Sequence, residues 1–337
     1  MGLPSSWPKW AVHFFFLFIC VRHAGAAIFA RSVLSFEQGT DQFQFYRYDD
    51  PGSALGVSPR VTDVFGGVHF TGPFNNPWQR KDVVSVGLGG YLTLELEQSV
   101  KVESGVKALG IFTFQQFLLQ GGWGTDAKPT LFYPSMQARV YVSEKGRDWV
   151  GVNEGDLISF DIPANGFNGD GSDADYGKPH DLTVGELGGL PKAEIIARYD
   201  GSAGGTWLDL SGTGLDRVGY VRFEVDADQA FSFQLEGVSI NSDLAGDRAG
   251  ELVLGDASGD GVFDGLDLAI VKRHMGQLHT RGDVDFDGVT DLGDLFIMRN
   301  LSKPGGGSQG GSIPEPSSLA LGLALLGGLG CGRGWFW

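Results

Sequence analysis

The segment 255–294 contains its own copy. A shift of 27 positions lays GDASGDGVFDGLD on GDVDFDGVTDLGD, so that Asp256 meets Asp283, Asp260 meets Asp287, Asp264 meets Asp291 and Asp267 meets Asp294. A duplicated unit this short cannot bury an apolar face alone and must pack on its twin. Counting the first Asp as position 1, each copy carries side-chain oxygens at positions 1, 3, 5, 9 and 12, a Gly at 6 and a backbone carbonyl at 7. That spacing suits a loop curled round calcium, a hard cation that takes about 6 to 8 oxygens, with the Gly permitting the sharp turn.

Each loop runs into a short apolar-periodic segment, DLAIVKRHM from Asp267 and DLFIMRNL from Asp294. Leu268, Val271 and Met275 share one stripe and Leu295, Met298 and Leu301 the other, which predicts two helices packed on each other. A solvated acidic turn would not repeat at one offset with the same helix behind it.

The pair, residues 255–301, resembles a type I dockerin, whose loops lack the helix preceding an EF-hand loop and close with Asp in place of Glu. The resemblance implies two calcium ions. The first would be held by Asp256, Ser258, Asp260, Asp264 and Asp267 with the Val262 carbonyl, the second by Asp283, Asp285, Asp287, Asp291 and Asp294 with the Val289 carbonyl. Ser258 leaves the first loop one carboxylate short, so weaker calcium binding is expected there. The resemblance further implies a cohesin-like partner, met by Gly265, Leu266, Lys272, Arg273, Leu292, Gly293 and Arg299, although the usual Ser-Thr pair is absent. A self-contained stabilising clasp is the alternative.

Charge agrees with a cation-binding protein: 41 acids face 25 bases, and residues 255–301 hold nine Asp against four bases. Nucleic acid and anionic lipid need a basic face and are not expected partners. Cys20 and Cys331 both lie in terminal apolar segments, which leaves the folded body without a disulfide. In an exported chain the small module then needs another staple, and bound calcium supplies one.

Export is expected from the first 26 residues, where Lys9, the apolar run 10–21 and Ala24-Gly25-Ala26 have the layout of a secretory signal peptide. Residues 302–312 (SKPGGGSQGGS) read as a flexible linker. Beyond it, Pro314-Glu315-Pro316, the apolar stretch 318–331 and Arg333 resemble the PEP-CTERM sorting signal over 313–337, with a single Arg and an aromatic end as departures. This implies an exosortase partner, transient membrane anchoring by the tail and a cell-surface or extracellular destination.

The body, residues 27–254, has the glycine-rich, charge-poor makeup of short strands and many turns. Period-two alternation over 91–97, 138–143, 220–226 and 231–235 predicts half-buried strands. The expected fold is mainly β: an antiparallel, jelly-roll-like β-sandwich carrying a small α-helical paired-loop module. Stretches 83–96, 138–150, 199–215 and 220–225 resemble an uncharacterised class of bacterial exported β-sandwich domains, which implies a discoidin- or lectin-like sandwich with no transferable activity.

Catalytic signals are thin. The body has His69 and His180, no H-E-x-x-H and no Walker loop, and the one G-x-S-x-G of the chain (306–310) lies in the linker. A glycosidase needs only two carboxylates about 5 to 9.5 Å apart. Glu95, Glu97, Glu154, Glu194, Glu224 and Glu236 are the candidates, several placed by alternation on outward faces. Trp78 and Trp123, in turn-rich segments, could stack on a sugar ring or fold back on the sandwich. Asn168, Asp170, Ser172, Asp173 and Asp175 form an oxygen cluster suited to a third calcium or to an Asx-turn loop. The reading is an exported, non-catalytic surface or matrix protein that binds polysaccharide or cohesin. The alternative is a carbohydrate-active protein, a glycoside hydrolase or its accessory subunit, assembled through its dockerin.

Overall fold

The computed structural model describes residues 27–42, 47–64, 67–120, 128–131, 136–247, 255–258, 263–279, 281–287 and 289–301. The signal segment, the linker, the tail with Pro314, Glu315 and Pro316, Trp123, Asp260, Val262 and the loop glycines Gly261 and Gly288 lie outside them.

Fourteen strands are described: β1 (Ile28–Glu37), β2 (Val61–Val64), β3 (Gly67–Phe70), β4 (Val84–Val86), β5 (Tyr91–Lys101), β6 (Lys107–Thr113), β7 (Phe117–Gln120), β8 (Lys128–Leu131), β9 (Met136–Ser143), β10 (Val150–Gly151), β11 (Ile158–Phe160), β12 (Thr206–Asp209), β13 (Arg217–Glu224) and β14 (Phe233–Ile240). The helices are α1 (Val184–Leu187), α2 (Lys192–Arg198), α3 (Gly265–His274) and α4 (Leu292–Leu301). Ten strands form one antiparallel sheet in the order β10-β9-β13-β5-β1-β14-β6-β12, with β11 on β9 and β4 on β14.

β1 is where this sheet turns over. Ile28 and Phe29 pair with β14, whereas Ala30 onward pairs with β5, with register shifts at Ala30/Ser32 and Val33/Ser35. Such bulges bend a strand and increase its twist. One wing (β5, β13, β9, β10, β11) therefore faces the other (β14, β6, β12, β4) across a single apolar cluster. Leu92, Leu94, Val140, Val221 and Phe223 come from the first, Val84, Ile111, Phe233 and Val238 from the second. Phe233 marks the centre, with ring centroids of Phe223 at 5.3 Å and Phe160 at 5.1 Å. The body is thus a β-sandwich.

Alternation gives the strands, but only β9 is buried on one face and half-open on the other. β5, β13 and β14 are covered on both. Thr93, Glu95, Tyr220 and Arg222 on the outer face of the first wing are buried, as are Gln234 and Glu236 on the second. The helical module lies over the former. Ser58 and Tyr176 contribute to the cover over the latter: Ser58 donates to Glu236 (3.1 Å) and Ser239 donates to the Tyr176 carbonyl, while within the sheet Gln234 donates to its cross-strand neighbour Ser85 (3.3 Å).

In the module, Val271 of α3 and Met298 of α4 are fully buried with Ala257 and Val284, and Leu268 and Leu295 flank them. Met275 leaves the expected stripe. Its backbone (φ -48°, ψ 128°) ends α3 at His274, and the side chain turns toward solvent.

Candidate metal centre

Both acidic loops close in the same way. Asp294 opens the first turn of α4; its Oδ1 accepts from the backbone N–H groups of Val284 (2.6 Å) and Asp285 (3.3 Å), and its Oδ2 from Asp291 (2.7 Å). Asp267 on α3 accepts from Ser258 N–H at 2.8 Å and Asp264 N–H at 2.6 Å. Each last acid therefore ties positions 3 and 9 of its loop to a helix N-terminus, where amide donors and the helix dipole favour negative charge. Asp264 and Asp291 spend an oxygen on the following turn, accepting from Leu266 (2.7 Å) and Gly293 (2.6 Å).

In the second loop one ligand atom each from Asp283, Asp285 and Asp287 come within 4.8 Å of one another. Asp285 Oδ1 accepts from Asp287 N–H (3.2 Å), and Asp287 Oδ1 from Val289 N–H (2.8 Å). Asp283 is buried and the other two are half-buried. Burial first, then the neighbouring acids, push the Asp283 and Asp285 carboxyls well above the usual carboxylate range, and burial raises Asp294 also. A carboxyl raised this far holds a proton that a solvated aspartate would have released. Three crowded, desolvated carboxyl groups with no soft donor among them fit a hard divalent cation, which would displace that proton. Val289, half-buried, pairs with Leu278 as an isolated antiparallel bridge.

The first loop meets the sandwich through its position-1 acid. Asp256 is buried, its Oδ1 accepting from Ser258 Oγ (3.1 Å), and Arg147 from the turn between β9 and β10 brings Nη1 to 3.4 Å from that oxygen. Burial pulls the guanidinium pKa down while Asp256 and Asp267 oppose the shift.

The second loop meets it through Phe286. This residue takes a left-handed backbone (φ +61°), uncommon for a non-glycine residue, and its ring packs with Leu34, Trp149 and Tyr220. Its carbonyl accepts from Ser35 Oγ and from Arg222 Nη1 (2.7 Å), while Arg222 Nη2 donates to the Asp287 carbonyl (2.7 Å). Arg222 is itself held by Thr93 Oγ1 (3.0 Å), Glu224 Oε1 (2.6 Å) and the Tyr91 ring, 4.0 Å from its Cζ. Beside it, Trp149 N–H donates to the His279 carbonyl (3.2 Å), His279 stacks on Tyr141, and Arg281 pairs with Asp148 at 2.7 Å. A cleft of about 230 Å³ follows the seam, lined in part by Tyr91, Arg222, Glu224, His279 and Asp287. Arg147, Trp149, Arg222 and Phe286 are absent from the sequence-derived candidates. The available signal was an aromatic residue at the loop position where the twin has Gly259.

The other candidates fall as follows. Gly265, Leu266, Lys272, Arg273, Leu292 and Arg299 are exposed on the helices, and Gly293 is half-exposed. Trp78 packs edge-to-face on Phe114 (4.7 Å), and its carbonyl accepts from Tyr48. Asn168 donates to Ser172 Oγ and the Asp173 carbonyl, and Asp170 accepts from Ser172, the hydrogen bonding of an Asx-turn loop. Of the six glutamates, Glu97, Glu154 and Glu194 are exposed, while Glu224 is held by Arg222. Glu95 and Glu236 are buried, Glu95 against Arg31 and Ser32. His180 accepts from Leu182 N–H and Asp181 pairs with Lys107. Among the described residues no helix is long and apolar enough to cross a membrane.

Fold and site together define a mainly β protein with an acidic double-loop module seated on one outer face of its sandwich. No known family model matches the chain, and no curated protein is similar to it.

Proposed function

We propose that this is an exported, non-catalytic protein of the cell surface or extracellular matrix, in which calcium bound by residues 283–294 holds a dockerin-like module against the β-sandwich. The observation that carries the reading is the convergence of Asp283, Asp285 and Asp287 in a loop whose main chain is gripped by Arg222 and Ser35. Without a cation these carboxyls repel one another in a poorly solvated place. A divalent ion relieves that repulsion and adds its binding energy to the native state alone. Asp291, Asp294 and the Val289 carbonyl complete the oxygen set in this reading. The exposed helix residues, Leu266, Lys272, Arg273, Leu292 and Arg299 with Gly265 and Gly293, are the surface for a cohesin-like partner or an extracellular polysaccharide. The Pro314-Glu315-Pro316 tail is the substrate of an exosortase.

Calorimetric titration of the full chain with calcium, paired with thermal unfolding in calcium and in chelator, tests this reading. Saturable binding that raises the unfolding temperature, both lost in Asp285→Asn, is expected. Absence of binding heat and of any thermal shift in the parent protein rules it out.

A further inference from the structure

The sandwich presents different chemistry to the two loops. To the second it offers Arg222, whose donors go to the carbonyls of Phe286 and Asp287, to Thr93 and to Glu224. Within that loop Asp285 and Asp287 make no ion pair among the described residues. To the first loop the sandwich offers Arg147, which reaches the position-1 acid itself. Both members of that pair are almost sealed from solvent, with side chains 7% and 5% exposed.

Arg147 is delivered by a fixed turn. Ser143 Oγ accepts from the N–H groups of Arg147 (2.9 Å) and Lys145 (3.3 Å) and donates to the Arg147 carbonyl, while Gly146 and Asp148 on either side take left-handed backbone. A guanidinium stays charged even when buried. Its charge lies beside Asp256, where a calcium ligated by that carboxylate would have to sit, and two like charges in a desolvated site repel strongly. Among the described residues Asp267 and Asp264 accept from backbone N–H groups as Asp294 and Asp291 do in the second loop, so the difference between the loops lies at the position-1 acid.

We propose that Arg147 serves as the built-in cation of the first loop, so that the chain binds one calcium ion, in the second loop, instead of two. This rests on the reading of residues 283–294 as a calcium site and adds to it the reason the duplicated loops part company. The first loop carries its own countercharge at its contact with the sandwich, whereas the second, held through Phe286 and Arg222, gains further stability from calcium.

The test is the number of calcium ions bound by the full chain in calorimetry, for the parent, Asp260→Asn, Asp287→Asn and Arg147→Gln. These aspartates hold the same loop position, 27 residues apart. One ion in the parent, unchanged in Asp260→Asn, lost in Asp287→Asn and rising to two in Arg147→Gln is the expected pattern. Two ions in the parent, or loss of binding in Asp260→Asn, overturns the proposal while leaving calcium binding intact. One ion in a natively folded Arg147→Gln overturns the role of the arginine. Should that variant not fold, the Asp260→Asn and Asp287→Asn pair decides. No ion in the parent removes the calcium reading and this proposal together.

Discussion

Arg222 Nη1 lies 2.7 Å from the carbonyl oxygen of Phe286, joining a central strand of the sandwich to the ligand loop of the helical module. The neighbouring carbonyl, that of the loop acid Asp287, accepts from Nη2 of the same guanidinium. The conformation of the ligand loop and the burial of the outer sheet face are therefore one equilibrium, and whatever stabilises either stabilises both.

Phe286→Ala tests the hydrophobic half of this seam. Removing a buried ring from among Leu34, Trp149 and Tyr220 is expected to lower stability by about 3 to 5 kcal/mol, read from urea unfolding in saturating calcium. A change below about 1 kcal/mol means that the ring does not anchor the module.

Arg222→Lys tests the polar half. A guanidinium serves two carbonyls, a hydroxyl and a carboxylate at fixed angles, which a single ammonium cannot reproduce, so a loss of about 3 kcal/mol is expected in thermal unfolding. Weaker calcium binding should accompany it. Parent-like behaviour reduces Arg222 to a point charge.

Protonation of the acid cluster sets the pH dependence of the metal-free protein. Asp283 and Asp285 titrate together, pushed by burial and by neighbouring acids to about 8 and about 7. The folded chain thus keeps protons that an unfolded aspartate releases near pH ~3.9. The associated stability is fully present below that pH and is lost as pH rises through about 7 and about 8. In chelator, unfolding midpoints should fall over this window. In calcium the fall should disappear, because the ion replaces the protons. A flat profile in chelator contradicts the crowded site.

Glu236 offers a separate test on the opposite wing. It is 2% exposed, and its Oε1 has no hydrogen-bond partner among the described residues. Burial raises its pKa well above the ordinary glutamate value, opposed by the Ser58 hydrogen bond and reinforced by Asp82. A raised folded pKa means stability present below pH ~4.3 and lost as pH increases. Glu236→Gln, a neutral isostere, should match the parent at pH 4 and exceed it at pH 9 in denaturant unfolding. Equal stability at both values shows that Glu236 ionises without penalty.

Much of this protein is written locally. Alternation over 138–143 gave β9 its buried and half-open faces, and the 27-residue repeat located two loops whose last acids, Asp267 and Asp294, do sit on helix N-termini. These are short-range properties: strand period, apolar stripe and the reach of a carboxylate to its own backbone all lie within a dozen residues. The same alternation mispredicted β5 and β13 as half-open, because on their polar outer faces Tyr220 and Arg222 are covered by a module from far along the chain and Glu95 is closed over by Arg31 of β1. Ser35 and Phe286 stand 251 positions apart, and Arg147 reaches Asp256 from another hairpin turn. Local pattern sufficed for β9, for parts of β5, β13 and β14, and for the duplicated acidic loops with the helices that close them. Which loop receives a guanidinium on its first acid, and which keeps its carboxylates facing one another, follows from long-range packing, since it depends on how a sheet bent at Ala30 presents its outer face to a distant segment.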